Sequence, residues 1–378
     1  MKRFLCILLC LALTAALAVP AAAAELTLSA PSAILMEKET GTILYAKDEH
    51  TQLQPASVTK VMTLLLVMEA LDEGRMALTD QVTVSAHAAS MGGSQVYLKE
   101  GEQMSVEELI KAVAVVSGND AAVALAEHIA GSEEAFVARM NERAAQLGMA
   151  DTNFVNCTGL PAAGHLTSAY DIALMSRELI LNHPDIRQYS TIWMDTIRGG
   201  QFQLANTNKL VRYFEGCTGL KTGSTDSALY CLSATAEREG MELIAVVLGS
   251  PTSAQRFSAA QALLTYGFAN YTLVDVRPDQ AIPPVAVSLG VTDTVQPVLA
   301  NGSRILVEKS QLNQITTSLQ LSEDVEAPVE QGQKLGELTV SAGDTRLCTI
   351  PLVADQAVAR ITVPGLFLRL GRNLFLAG

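Results

Sequence analysis

The feature that most constrains the fold is an almost unbroken apolar run from Val61 to Leu71, interrupted only by Thr63 and Glu69. A helix that is apolar on nearly every side belongs in the middle of a core rather than on a surface. The chain must therefore supply packed structure all around this helix. Its 378 residues, 49% apolar and 17% charged, are sufficient to do so.

Periodicity elsewhere predicts an α/β domain between about residues 25 and 270. An alternating pattern with a central turn predicts a β-hairpin over residues 32–45. Ser105 begins a capping box, and Asp120 is the expected N-cap of the helix that follows. Further periodic segments predict helices over about 106–115, 120–130, 133–147, 169–181 and 253–268, and strands over 229–236 and 243–248. A hairpin signal at 238–240 joins these two strands, which favours an antiparallel sheet.

The last hundred residues have a different character. A proline-containing linker covers 277–284, and short β-rich runs with Gly and Asp turns follow, so residues 277–363 are predicted to form a small β-rich domain. Residues 364–378 predict an amphipathic helix, with Leu366, Phe367, Leu370, Leu374 and Phe375 on one face and Arg369, Arg372 and Asn373 on the other. At roughly 20 Å it is too short to span a bilayer but suits the membrane surface; the alternative is a terminal helix docked on the protein.

The first 24 residues are typical of a signal peptide. Lys2 and Arg3 precede an apolar run over 4–19, and four alanines ending at Ala24 form the expected cleavage site. As a helix the run would be roughly 24 Å long, short of the ~30 Å hydrocarbon core, which disfavours a transmembrane anchor. The mature chain is therefore expected to be exported.

Composition argues against two classes of function. A formal net charge of -13 repels phosphate backbones, which disfavours nucleic-acid binding. The cysteines lack metal-site spacing, and the five histidines form no His-Glu-x-x-His pattern, so we expect no metal and no cofactor. Four cysteines remain outside the signal segment, and we interpret them as buried apolar residues, with disulfides as the alternative: Cys157, Cys217, Cys231 and Cys348.

Ser57 and Lys60 are the first candidate catalytic pair. They lie three residues apart at the start of the buried helix, so both side chains project from one face. A serine hydroxyl becomes a nucleophile only when a base removes its proton, and a lysine kept neutral by burial and by a neighbouring cation can do so. The alternative is an ordinary N-cap serine followed by a surface lysine.

Two further short motifs follow in order. Ser117 and Asn119 lie in a break between helices, where Ser117 would relay a proton to a leaving amine and Asn119 would orient a substrate amide; the alternative is a capped turn. Lys221, Thr222 and Gly223 lead into a strand, and a cation and a hydroxyl on an edge strand suit a free carboxylate. The alternative here is a basic residue that protects the edge.

Taken together, the three motifs resemble those of the low-molecular-mass penicillin-binding proteins, the serine-type D-alanyl-D-alanine carboxypeptidases. The resemblance extends through residues 156–160, 167–171, 219–225, 256–257 and 265–268. It implies an antiparallel sheet with helices on both faces, a D-Ala-D-Ala stem peptide as substrate and β-lactams as covalent inhibitors. It also implies that the backbone N–H groups of Ser57 and Ser224 form an oxyanion hole and that Arg256 assists carboxylate recognition. The family often has His where Ser224 stands, which leaves substrate preference open.

Two rival functions remain to be weighed. β-Lactamases hold a deacylating water on the Glu of a Glu-x-x-x-Asn motif, and Glu178 and Asn182 have that spacing. They lie late in a predicted helix, well after Ser117, so we interpret them as ordinary helical residues. A catalytically silent cell-wall-binding protein would lack the serine or the lysine, and this chain has both. The resemblance therefore favours a carboxypeptidase at the outer face of the cytoplasmic membrane.

Overall fold

The structure is a computed structural model that describes residues 26–278, 280–300 and 303–376. The predicted signal peptide lies outside the described residues. The helices are α1 Lys60–Asp72, α2 Ala86–Ala89, α3 Val106–Val116, α4 Asn119–Ala130, α5 Glu133–Gln146, α6 Ala169–Asn182, α7 Arg187–Ser190, α8 Leu210–Tyr213, α9 Ser253–Asn270 and α10 Val363–Leu376. Short 3₁₀ turns cover Ala56–Thr59, Pro184–Ile186 and Lys309–Gln314.

The strands of the first 275 residues are β1 Ser32–Glu37, β2 Ile43–Lys47, β3 Gln81–Thr83, β4 Gln103–Ser105, β5 Met194–Ile197, β6 Phe202–Ala205, β7 Cys217–Thr225, β8 Leu229–Arg238, β9 Met241–Ser250 and β10 Tyr271–Asp275. The central sheet has five strands in the order β2-β1-β9-β8-β7, and every pair is antiparallel. This confirms both predicted hairpins and the antiparallel sheet. Strand β7, which carries Lys221, lies at one edge of it.

The two faces of the central sheet face two separate apolar cores. Ile34 of β1 packs into the core that contains α1, whereas its neighbour Leu35 packs against α9 on the other face. Because successive side chains of a strand point to opposite faces, β1 and β9 are apolar at almost every position and buried on both sides. Helices therefore cover both faces, as the resemblance implies.

Helix α1 lies at the centre of its core, buried from Lys60 to Met68. The cap at Ser105 is confirmed, since its Oγ accepts the Glu108 N–H at 3.2 Å. The prediction for Asp120 was wrong: Gly118 is the N-cap of α4, and the Asp120 carboxylate lies in the first turn. There it accepts the N–H groups of Val96 and Leu98 and so fixes the preceding loop.

The C-terminal strands are β11 Val285–Ser288, β12 Thr294–Val295, β13 Pro297–Leu299, β14 Arg304–Glu308, β15 Ile315–Leu321, β16 Asp324–Glu326, β17 Lys334–Ala342 and β18 Thr345–Ala354. Sequence reasoning missed β10, which pairs with β14 and joins the two regions. The four cysteines of the described residues form no disulfide; Cys157 and Cys231 are buried as predicted, whereas Cys217 and Cys348 are only partly buried. No helix in the described part of the chain is both long enough and apolar enough to cross a membrane.

Candidate active site

The start of α1 brings the first two predicted site residues together. Ser57 lies in the 3₁₀ turn Ala56–Thr59, and Lys60 is the first residue of the helix. The Lys60 Nζ atom lies 3.0 Å from Ser57 Oγ, 2.6 Å from Asn119 Oδ1 and 2.7 Å from the carbonyl oxygen of Thr158. The lysine is completely buried, so it has no access to water as an alternative partner.

These contacts define how the Lys60 amine acts. Burial lowers the pKa of Lys60 from its ordinary value to about 7, although Cys157 and Asp120 oppose the shift. A carbonyl oxygen can only accept a hydrogen bond, so a neutral Lys60 donates its two N–H bonds to Asn119 and Thr158. Its lone pair is then left facing the Ser57 hydroxyl. The surroundings thus leave the lone pair of the amine one partner, the hydroxyl proton of Ser57.

Ser117 and Asn119 lie at the junction between α3 and α4, and Asn119 contacts Lys60. Ser117 ends α3 in the left-handed conformation, with φ at 66°, and its buried Oγ has no hydrogen-bond partner among the described residues. A buried hydroxyl without a partner is costly unless a substrate supplies one. The Asn119 amide is engaged at both ends, accepting from Lys60 and donating to the Gly92 carbonyl at 2.7 Å.

Strand β7 supplies the cationic side of the site. Lys221 is buried, and its Nζ donates to the Thr222 carbonyl at 3.0 Å. Burial, together with the charges of Lys60 and Arg256, holds the pKa of Lys221 well below its ordinary value. A carboxylate placed beside this lysine would reverse that shift, because an anion favours the charged form. The site therefore favours an anionic ligand on electrostatic grounds.

Gly223 allows β7 to lie directly against the catalytic turn. A Cβ atom at this position would lie 2.7 Å from the Pro55 carbonyl oxygen and 2.9 Å from the backbone nitrogens of Ser57 and Val58. No larger residue fits there without displacing Ser57. Ser224 follows immediately and is exposed at the edge of the sheet.

Arg256 approaches the same strand from α9. Its Nη1 donates to the carbonyl oxygens of Gly223 and Cys231, at 3.1 and 3.2 Å. Burial lowers its pKa to about 10, so it stays charged at neutral pH. In this structure Arg256 braces the backbone of β7, and it contributes positive potential rather than an open guanidinium group.

Sequence reasoning did not single out two further residues at the site. Thr158 contributes the carbonyl that holds Lys60, and the only signal for it was its place in the segment 156–160. Thr207 contributes a hydroxyl 2.7 Å from that of Thr222, and nothing in the local sequence pointed to it. Both are contacts between distant parts of the chain, which periodicity does not reveal.

Glu178 lies in a separate charged cluster, away from Ser57 and Lys60. Its carboxylate pairs with Arg143 at 2.6 Å, and Arg143 also pairs with Glu69 near the end of α1. Glu69 is nine residues beyond Lys60, so this cluster is roughly 13 Å along the helix from Lys60. Ligand atoms of Glu69, Glu178 and His183 lie within 4.8 Å of one another, and Arg143 already pairs with both carboxylates.

Several known proteins are similar to this chain in sequence and in fold. A family model described as D-alanyl-D-alanine carboxypeptidase matches residues 19–252, and one described as penicillin-binding protein 5, C-terminal domain, matches 276–360. The chain is 40% identical to the D-alanyl-D-alanine carboxypeptidase DacF of Bacillus subtilis, over 88% of this chain and 86% of the relative. The structure of penicillin-binding protein 5 from Haemophilus influenzae superimposes with a TM-score of 0.81 at 31% identity, covering 88% of this chain and 98% of that chain. Ampicillin-bound penicillin-binding protein D2 from Listeria monocytogenes gives 0.59 at 33% identity, covering 64% of this chain and 99% of that chain.

Proposed function

The chain belongs to the D-alanyl-D-alanine carboxypeptidase family, and we propose that Ser57 is its nucleophile and Lys60 its general base. As a serine-type enzyme of this family, it removes the terminal D-alanine from peptidoglycan stem peptides. The observation that carries the proposal is the 3.0 Å contact between Lys60 Nζ and Ser57 Oγ. A pKa near 7 gives that lysine a substantial neutral fraction at neutral pH.

The remaining roles follow from what each residue contacts. Lys221 and Thr222 hold the terminal carboxylate of the substrate, and Arg256 supports them through the backbone of β7. The Ser57 hydroxyl gives its proton to Lys60 and attacks the penultimate carbonyl, whose oxygen is stabilised by the backbone N–H groups of Ser57 and Ser224. One such donor is typically worth about 10²–10³ in rate.

The second half of the reaction uses the Ser117 hydroxyl, which has no hydrogen-bond partner among the described residues. When the carbon–nitrogen bond breaks, Ser117 Oγ passes its proton to the departing amine of D-alanine and takes in exchange the proton that Lys60 received from Ser57. Asn119 then orients the acyl-enzyme, and water attacks it to release the tetrapeptide and restore the Ser57 hydroxyl. A penicillin enters by the same attack and stays bound. Its slow release follows from the position of Glu178, which is too remote to activate a water at the ester.

The decisive experiment is D-alanine release from a peptide ending in Lys-D-Ala-D-Ala, with Ser57→Ala as control. We expect release and a penicillin adduct in the wild type, and neither in the variant, which should fold normally because Ser57 is only partly buried. A folded wild type with no release and no adduct would contradict the proposal and favour the silent wall-binding alternative.

We also propose the arrangement of the whole chain. Residues 1–24 direct export, residues 25–270 form the catalytic domain, and residues 277–363 form a stalk. The two family models, which match on either side of residue 270, support this division. The enzyme then acts on the cell wall from the outer face of the cytoplasmic membrane.

The proposed membrane contact is α10, whose Val363, Phe367 and Leu368 are 69–76% exposed. Of the predicted apolar face, Leu366 and Phe367 are exposed, and the side chains of Leu370, Leu374 and Phe375 lie outside the described part of the chain. Arg369 does not face outward as a headgroup ligand. It donates to the Gly290 carbonyl at 3.0 Å and pairs with Asp293, which fastens the helix to the β-rich region. Membrane affinity therefore rests on the apolar side chains.

Sedimentation with anionic lipid vesicles tests this contact. Because burying one large apolar side chain is worth about 1.5–3 kcal/mol, Phe367→Asp with Leu368→Asp should lower binding at least ~10-fold. Val298→Asp, an exposed valine on the β-rich region, is the matched control. Equal binding by all three proteins would exclude α10 as the anchor.

A further inference from the structure

The loop between α5 and α6 packs against the catalytic turn, Ala56–Thr59, and against the start of α1, and it contacts them at several points. The Thr158 carbonyl accepts from Lys60, and the Cys157 carbonyl accepts from the Thr63 hydroxyl at 2.7 Å. Gly159 is pressed so closely against the turn that a Cβ there would lie 1.8 Å from the Ala56 carbonyl oxygen. The fourth contact comes from a side chain with no role in the mechanism above, His165.

His165 is 2% exposed, and both of its ring nitrogens are used. Its Nδ1 lies 3.1 Å from the backbone nitrogen of Val155, which can only donate, so Nδ1 is the acceptor and the proton resides on Nε2. Burial lowers the pKa of His165 to about 4, so the ring is neutral at any pH where the enzyme works. Its Nε2–H therefore donates to the Thr59 hydroxyl, 2.8 Å away.

Thr59 stands between the nucleophile and the base in a turn that has little support of its own. Ala56 has a φ of 49°, a conformation that a residue with a Cβ adopts at a cost. No side chain caps the start of α1. Contacts from outside the turn must therefore hold it, and the bond from His165 holds the one residue of the turn that separates Val58 from Lys60.

We propose that His165 is a positioning residue for acylation, which holds Thr59 and thereby fixes Ser57 Oγ against Lys60 Nζ. This inference rests on the proposed roles of Ser57 and Lys60. His165 forms no hydrogen bond to either residue, so it acts through Thr59 and not as an acid or base. The rigid imidazole ring connects the Val155 backbone to Thr59 through one hydrogen bond at each ring nitrogen.

Two substitutions separate the functions of the two ring nitrogens. His165→Asn keeps an acceptor near Nδ1 for Val155 but removes the donor to Thr59, whereas His165→Gln places an amide donor near Nε2. We expect His165→Asn to lower kcat and the penicillin acylation rate roughly 10–100-fold, since misplacement of a reacting group by 1 Å costs up to ~10²-fold. KM should change less than ~2-fold, because Lys221 and Thr222 are untouched. His165→Gln should recover most of the rate, and His128→Asn, on an exposed histidine, should have no effect.

A double-mutant cycle tests whether Thr59 carries the effect. Thr59→Val removes the hydroxyl with little change of shape, so adding His165→Asn to it should slow acylation no further. Acylation by His165→Asn at the wild-type rate, or an undiminished effect in the Thr59→Val background, would overturn the inference. In either case a wild-type adduct on Ser57 would leave the proposed function standing. If His165→Asn fails to fold, the rates of Thr59→Val and His165→Gln decide the question.

Discussion

The catalytic region and the C-terminal β-rich region bury different kinds of side chain. Among the described residues, every buried polar or charged side chain lies between Ser32 and Arg256. The buried side chains of the strands from β11 to β18 are apolar, and they form two compact clusters around Leu335 and Leu338. One region thus contains Lys60 and Lys221 wholly removed from water, whereas the other contains nothing comparable.

Burying charge opposes folding, so the two regions are optimised for different purposes. A buried ammonium group is costly unless it is paired, and the hydrogen-bond partners of Lys60 are all neutral oxygens. The left-handed backbone at Ala56 and Ser117 adds strain at the same place. These unfavourable features are retained because burial lowers the pKa of Lys60 and the strained backbone orients the hydroxyls of Ser57 and Ser117. The β-rich region, which has no such task, uses its interior for stability alone.

Glycine-to-alanine substitutions sharpen this contrast, because each region contains a glycine at which an added Cβ would clash with backbone atoms. Gly223→Ala places a Cβ 2.9 Å from the Ser57 nitrogen, and Gly336→Ala on β17 places one 2.4 Å from the Gln320 carbonyl oxygen. Gly223→Ala should lower kcat/KM for D-alanine release by roughly 10²-fold, because it shifts the nucleophile. Gly336→Ala should lower the unfolding free energy by about 1–3 kcal/mol and leave kcat/KM unchanged.

Denaturant titration and D-alanine release, measured on the same samples, separate these outcomes. If Gly336→Ala lost activity while folded, the β-rich region would be part of the catalytic machinery. If Gly223→Ala kept full activity, β7 would not form a wall of the site.

The pH dependence of acylation tests the buried charge directly. The reaction requires neutral Lys60, and the pKa of this lysine is lowered to about 7 by burial. The rate of acylation by a penicillin should therefore rise with pH through an apparent pKa near 7, falling about tenfold for each unit below it. Stopped-flow acylation between pH 5 and 9 measures this profile. A flat profile over that range would mean that Lys60 is not the base.

The sequence predicted local elements well and contacts between distant segments poorly. The run over 61–71, the Ser105 cap and the hairpin at 238–240 predicted local elements, because periodicity and capping act within a few residues. Three spaced motifs predicted that Ser57, Ser117 and Lys221 meet, but only through resemblance to a family. Strand β10 was missed, and so were the contacts of Thr158 and His165. These depend on pairing between segments far apart in the chain, which no local pattern encodes.

Substitution of Glu178 should have the smallest effect on catalysis, and it tests how far the catalytic region extends along α1. It has the spacing of a deacylating glutamate, yet it pairs with Arg143, whose other partner Glu69 lies roughly 13 Å along α1 from Lys60. Glu178→Gln should therefore change release of bound penicillin less than ~2-fold, and it should reduce the unfolding free energy by at most about 1 kcal/mol, because Arg143 keeps its pair with Glu69. The release rate, followed by mass spectrometry of the adduct, is the measurement. Markedly slower release would place Glu178 in contact with the ester water and extend the catalytic region to the far end of α1; an unchanged rate confines its chemistry to the start of that helix.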